Sequence, residues 1–322
     1  MFILGLLGSP RKNGNTSVLL SAFMEEAEKN GAITHTIAVD KKNIIPCKEL
    51  KVCETQGFCP IYDDMKSEIY PLLWKADLIV MATPVFFYSV PAQLKALIDR
   101  SQTQWARKYK LKLDDPGRKW RSGFLLALGA TKGENLFEGL NLTAKYFFDA
   151  VGANFKGSLV YRQIEEPGDI AKHPGALNEA REKARELIRP YLNRKKLLFV
   201  CKDNSFHSQM SEAFTAYYAG STVEALSAGD NPAESISGNM IQIMAEKGID
   251  MAFRSPKSVQ EVLMNNKPDV IVTMGCDVSC PLIPGVKLIN WDLPDPAGKS
   301  LEFIRELRQN IEKNVIDLIK EL

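Results

Sequence analysis

Two stretches of this chain gather residue types suited to holding an anion. The first runs from Gly8 to Ser17. There Ser9, Arg11, Asn15, Thr16 and Ser17 follow an apolar run from Phe2 and open a helical pattern that buries Val18, Leu19 and Phe23. A strand, a turn of small residues and a helix N-terminus direct free backbone N–H groups and the positive end of the helix dipole at one spot. Hydroxyls, an amide and a guanidinium at that spot suit a phosphate dianion. The second stretch, Lys196 to Met210, repeats the design with Cys201 at the mouth of the loop and Asn204, His207 and Ser208 behind it. The six cysteines fall into two sets of three, Cys47, Cys53 and Cys59, then Cys201, Cys276 and Cys280. Six cysteines in 322 residues are no disulfide framework, and their clustering points to chemistry instead of cross-linking.

The elements that must position these residues alternate. In the first half, apolar strand patterns cover Phe2 to Leu7, Thr34 to Val39, Ala76 to Ala82, Gly123 to Leu128 and Gly157 to Tyr161. Helical patterns lie between them at 64–74, 92–100 and 135–151. Strands alternating with helices predict a doubly wound parallel sheet, whose ligands sit at the carboxyl ends of the strands. The loops at 8–17, 83–91 and 129–133 all fall on that edge. A charged helix follows from Asn178, a plausible N-cap, to Arg189. A polar hinge at 192–196 then divides the chain, giving domains at 1–192 and 196–322.

The second half predicts strands at 197–200, 223–227, 269–274 and 287–291. Helices are expected at 208–218 and 239–247. A last helix sets Ile304, Leu307, Ile311, Val315, Leu318 and Leu322 on one face. The strand at 269–274 delivers Cys276 and Cys280 on the turn after it.

Composition narrows the class. Apolar residues make up 45% of the chain and charged residues 25%, as in a soluble globular protein. The net charge is +2, and no basic block marks a nucleic-acid face. No apolar run approaches the ~20 residues of a membrane span, and Met1 to Leu7 is too short for a signal peptide. The expected location is the cytoplasm, with small-molecule substrates and neither nucleic acid nor membrane as partner.

Three separated motifs of the first half resemble one family. They are Gly8, Ser9, Pro10, Arg11, Gly14, Asn15 and Thr16; then Pro46, Cys47, Cys53, Gly57, Phe58, Cys59, Asp63, Asp64 and Met65; then Thr83 to Ser89 with Leu94, Ile98, Asp99 and Arg100. Over about residues 1–190 the chain is similar to the flavodoxin-like NAD(P)H-dependent FMN reductases, and within them to the iron–sulfur flavoprotein branch. The resemblance implies a flavodoxin-like fold, FMN as cofactor and NAD(P)H as electron donor. It implies FMN phosphate on Ser9, Arg11, Asn15, Thr16 and Ser17. The flavin ring would lie against Pro84, Val85, Phe86, Phe87 and Tyr88, with the loop of Gly129 and Thr131 on its other side. Aromatic side chains suit a flat ring. Related reductases bury the flavin beside a subunit interface, so a homodimer is expected.

The cysteine segment departs from its branch. Iron–sulfur flavoproteins space four thiolates, and here the second position is Leu50, which cannot ligate iron. Cys47, Cys53 and Cys59 are therefore expected to be structural, and an iron–sulfur cluster is not expected.

The second half, residues 196–322, resembles the low-molecular-weight tyrosine phosphatase fold and within it the thiol-dependent arsenate reductases. The resemblance rests on Val200, Cys201, Asn204, Ser205, Ser208, Gln209 and Met210; on Ser227, Ala228, Gly229 and Pro232; on Thr273 to Cys276 with Cys280 and Pro281; and on Trp291, Asp295 and Pro296. It implies Cys201 as nucleophile, its thiolate held by Ser208 and the helix N-terminus, both of which lower a thiol pKa. It implies Asp295 as general acid. Cys276 and Cys280 would carry off the oxidising equivalent as a disulfide, with a thioredoxin-type protein as possible reductant. The phosphatase loop normally ends in Arg where this chain has His207. An imidazole offers fewer donors and no fixed charge, so oxyanion binding should be weak at pH 7.5 and tighten as His207 protonates.

The sequence thus predicts an FMN-dependent NAD(P)H oxidoreductase fused to an arsenate-reductase-like thiol domain. Two alternatives stand beside it: an oxyanion reductase with its own flavin reductase, and a second half that senses an anion or thiol without turnover.

Overall fold

A computed structural model describes residues 1–275 and 283–322, so Cys276 and Cys280 lie outside the described residues. The chain divides into two compact units, Met1–Lys112 with Arg118–Leu192, and Leu113–Gly117 with Asn193–Leu322.

The first unit is built on five parallel strands, β1 (Phe2–Leu7), β2 (Ile33–Ala38), β3 (Leu78–Pro84), β4 (Ser122–Leu128) and β5 (Asn154–Tyr161), in the order β2-β1-β3-β4-β5. This is the flavodoxin-like doubly wound order. The central strands are buried on both faces because alternate side chains point to opposite sides and helices cover both. Ile3, Leu78, Val80, Phe124 and Leu126 pack one side against Leu19 and Phe23 of the helix Asn15–Lys29 and Ile188 of the helix Ala176–Ile188. Strand order reverses between β1 and β3, and the loops after these two strands meet at the carboxyl edge. Gly8 stands where they converge: a Cβ there would lie 2.5 Å from Leu94 Cδ2, so a larger residue would require the Leu94 side chain to move.

Several details differ from the sequence expectations, among them two helices that were not expected, Gln102–Tyr109 and Val259–Asn265. The helix expected from Asn135 begins at Glu138. Asn178 is not an N-cap: the helix starts at Ala176, and His173 Nδ1 accepts the backbone N–H groups of Gly175 and Ala176 at 3.3 and 3.0 Å. Leu322 lies past the end of the last helix, Leu301–Lys320, and is exposed, so the buried stripe of that helix stops at Leu318.

The second unit carries four parallel strands, β6 (Lys195–Cys201), β7 (Val223–Gly229), β8 (Val270–Met274) and β9 (Lys287–Trp291), in the order β7-β6-β8-β9. Leu197, Phe199, Val270 and Val272 face a core with Phe214, Ile311 and Val315, while Leu198, Val200 and Ile271 face Val259 and Val262. The reversal of strand order lies between β6 and β8, so the loop after Cys201 occupies the switch point.

Candidate functional site

The first site forms where β1 ends. The helix Asn15–Lys29 begins after Gly14 with no side-chain cap and no acidic residue in its first turn, which leaves its positive end to the cleft in front of it. Ser9, Arg11, Asn15, Thr16, Pro84, Val85 and Phe86 line this cleft, whose volume is about 160 Å³. Pro10, Leu128, Ala130, Ile164 and Glu165 complete the wall and were not expected from sequence. Ser17, Phe87, Tyr88, Gly129 and Thr131, all expected as cofactor contacts, are not among the residues lining it. Gly129 instead ties strands together, its N–H on Tyr161 O and its carbonyl on Ile164 N–H.

The loop after β5 supplies a side of the site that the sequence did not announce. Asn15 Nδ2 donates to Glu166 O at 2.8 Å, while Asn15 Oδ1 accepts the Gly168 and Ile170 N–H groups at 3.0 and 3.3 Å. Arg11 Nη1 donates to Glu165 O at 3.2 Å.

The aromatic turn after β3 is strained. Phe87 and Tyr88 both have left-handed backbones, with φ of 49° and 60°, inside a turn closed by paired Phe86 and Ser89 backbone bonds at 2.9 Å. Asn and Gly normally fill such turns. Here the left-handed backbone costs of order 1–3 kcal/mol per residue, and the closed turn leaves Phe87 fully exposed and Tyr88 about half exposed.

Cys47 is exposed, and Cys53 and Cys59 are partly so. A buried ion pair holds the segment that carries them. Arg100 Nη1 and Nη2 donate to Asp63 Oδ2 and Oδ1 at 2.6 and 3.1 Å, and Arg100 Nη1 also donates to Ile45 O at 2.6 Å. Asp63 accepts the Ile45 and Met65 N–H groups in return. Among the described residues, no three His, Cys, Asp or Glu side chains are grouped closely enough to hold a metal ion.

The second site is the loop after β6. Cys201 Sγ lies 3.0 Å from Ser208 Oγ and accepts the Asn204 N–H at 3.2 Å. Asn204, left-handed at φ 52° and fully buried, braces the loop. Its Nδ2 donates to Ser208 Oγ at 2.7 Å, and its Oδ1 accepts from Gln209 Nε2 and Lys257 N–H at 3.1 and 2.8 Å. Gly229 makes room for this, since a Cβ there would lie 2.9 Å from Asn204 N.

The expected lowering of the thiol pKa does not win. Burial pushes the Cys201 thiol above its ordinary range, and the Asp203 carboxylate adds to that, outweighing the bonds from Ser208 and Asn204. His207 is buried, with Nε2 3.2 Å from Pro294 O. Burial lowers its pKa, so the imidazole is neutral at pH 7. Asp295 is exposed beside that carbonyl, its Oδ1 accepting the Ala297 N–H at 2.9 Å. The nearby cations Arg254 and Lys257 are tied to Glu212 at 2.9 and 3.5 Å. Burial raises the Glu212 carboxyl, but these two charges prevail and hold it at about 2.

No helix among the described residues is long and apolar enough to cross a membrane.

Comparison with known proteins separates the same two halves. Residues 1–136 match the family described as NADPH-dependent FMN reductase, and residues 196–322 match low molecular weight phosphotyrosine protein phosphatase. An iron–sulfur flavoprotein of Methanosarcina thermophila is 42% identical over 112 residues, 35% of this chain and 58% of that protein. The chain thus spans little more than half the length of that relative. A putative arsenate reductase of Halobacterium salinarum is 34% identical over 128 residues, 38% of this chain and 89% of that protein. An arsenate reductase of Brevibacillus brevis is 34% identical over 122 residues, 37% of this chain and 90% of that protein. Residues 1–136 are thus similar to the FMN reductases, and through residues 196–322 the chain belongs to the low-molecular-weight phosphatase family in the branch that holds the arsenate reductases.

Proposed function

We propose that residues 1–192 form an FMN-dependent NAD(P)H oxidoreductase domain and residues 196–322 a thiol domain whose nucleophile is Cys201. The observation that carries the first half is the uncapped helix end opening onto a cleft with Arg11, Ser9 and Thr16 on one side and Pro84, Val85 and Phe86 on the other. These groups fit a phosphate ester joined to a flat ring. When bound, FMN would take a hydride from the nicotinamide and pass its electrons to an acceptor. Arg11, the Ser9 and Thr16 hydroxyls and the first N–H groups of the helix, that of Ser17 included, would hold the phosphate. Asn15 would brace the loop at 166–170. Val85 and Phe86 would shield one face of the ring from water. The strained turn at Phe87 and Tyr88 supports contact with a ligand or a second copy of the chain, and a homodimer is part of this reading.

In the second half Ser208 and Asn204 would orient the Cys201 sulfur, and Asp295 would serve as proton donor to a leaving group. Cys276 and Cys280, outside the described residues, would give up two electrons and two protons to form a disulfide, which a thioredoxin-type reductant would reopen.

The test is turnover by the FMN-loaded full chain with NADPH or NADH and a quinone acceptor. Oxidation of the nicotinamide that is lost in Arg11→Ala and restored by excess FMN supports the proposal. A protein that oxidises neither nucleotide when fully loaded with FMN contradicts it.

A further inference from the structure

The loop after β6 is folded around a carboxylate of its own. Asp203 Oδ1 accepts the Ser205 N–H at 3.0 Å, and Oδ2 accepts the Ser205 hydroxyl at 2.8 Å. The same Oδ1 lies 3.8 Å from Cys201 Sγ. The Asn204 N–H is already given to that sulfur. An anion loop works by leaving its N–H groups free and its charge positive. Here two of its backbone donors face groups of the loop itself, and one of those groups carries a full negative charge.

Among the described residues the Asp203 carboxylate bonds to Ser205 and faces the Cys201 sulfur, and it is not drawn into an ion pair. His207 is neutral and directed at Pro294 O. Arg254 and Lys257 both pair with Glu212, which offsets one of their two charges and draws both cations to itself. Lys202 is exposed to solvent, and Asp230 and Asp295 are further carboxylates on the loops beside it. A dianion at Cys201 would lie beside the Asp203 carboxylate, which is 3.8 Å from the sulfur.

We propose that Asp203 makes this a charge-selecting thiol site, which excludes oxyanion dianions such as phosphate and arsenate from Cys201 and admits uncharged electrophiles. This rests on the reading of Cys201 as a reactive thiol. Asp203 is then the specificity-determining residue of the second domain, and the absence of Arg at His207 is its counterpart: the fixed positive charge is missing and a fixed negative charge stands inside the loop.

The test uses two reagents of similar size and different charge, iodoacetamide and iodoacetate, on the full-length FMN-loaded protein. In each case the thiolate sulfur displaces iodide from carbon. Mass spectrometry of the Cys201 and Cys47 peptides gives both rates in one molecule, and exposed Cys47 supplies the reference ratio. The iodoacetamide-to-iodoacetate ratio at Cys201 is expected to exceed that at Cys47 by about tenfold, the effect of one unscreened charge near the reacting sulfur. Asp203→Asn keeps an acceptor for the Ser205 N–H and removes the charge, and should bring the two ratios together. An unchanged ratio in Asp203→Asn overturns the proposal.

A second measurement is independent of reactivity. Inorganic phosphate titrated into the FMN-loaded protein by calorimetry should bind Asp203→Asn about tenfold more tightly than the wild type. Equal affinities overturn the proposal as well. If Cys201 takes neither reagent in either form, its role as nucleophile falls, and the phosphate comparison still decides the role of Asp203.

Discussion

Replacing Asn15 with alanine should open the loop at 166–170 before it changes any contact with a phosphate. The side chain makes three bonds to that loop, one donated to Glu166 O at 2.8 Å and two accepted from Gly168 and Ile170 at 3.0 and 3.3 Å. A neutral hydrogen bond contributes about 0.5–1.5 kcal/mol net, and one of these three is long, so their joint contribution is about 2 kcal/mol. That corresponds to ~30-fold in the population of the open loop. Hydrogen exchange followed by mass spectrometry reads it directly: the Gly168 and Ile170 amides in Asn15→Ala should exchange ~30-fold faster than in the wild type. FMN affinity should fall less, because Arg11, Ser9 and Thr16 remain. A phosphate-donating Asn15 would behave in the opposite way, losing ~10–100-fold in affinity with exchange unchanged. Unchanged exchange at both amides would refute the bracing role.

Two further outcomes follow from buried groups. Arg100→Met should destabilise the protein by about 3–5 kcal/mol, because it strands the Asp63 carboxylate in the interior, and the double variant with Asp63→Asn should recover part of the loss; a thermal or denaturant shift worth under ~1 kcal/mol would contradict this. Cys201 has its pKa raised by burial, so its thiolate is scarce at pH 7 and grows as pH passes the ~8.5 of a free thiol. Its alkylation by iodoacetamide should therefore have a midpoint above ~8.5, and a midpoint below ~7.5 would contradict the burial argument.

Much of the fold was legible because its signals are local. Apolar runs such as Leu78 to Ala82 and Leu125 to Leu128, each buried on both faces, separate strand from helix by length and punctuation. The cleft wall after the first strand was legible for a similar reason: glycines, hydroxyls and Arg11 crowd between a strand and a helix. What escaped depends on contacts distant in sequence. The 165–170 loop carries no pattern of its own, and its place beside Asn15 is set by the strand order. His173 takes the place of Asn178 as a cap because its Nδ1 accepts the Gly175 and Ala176 N–H groups, a side-chain contact that helical periodicity does not announce. Ser17 and Thr131 have donor chemistry, yet their placement off the cleft wall depends on how the loops fold and could not be read from residue type. Asp203 was the signal passed over. A carboxylate inside a loop read as an anion site is a charge mismatch visible in the sequence, and only the fold brings it to 3.8 Å from the Cys201 sulfur.

The central claim is that the first domain grips a flavin by its phosphate. Titration of the apo full chain with FMN and with riboflavin, followed by quenching of flavin fluorescence, tests it most directly. The account predicts stoichiometric FMN binding with an affinity at least ~30-fold above that of riboflavin, since charge-assisted contacts to the phosphate each contribute about 1.5–3 kcal/mol, and a collapse of that ratio in Arg11→Ala. Equal affinity for the two flavins, or no binding of either, would contradict it.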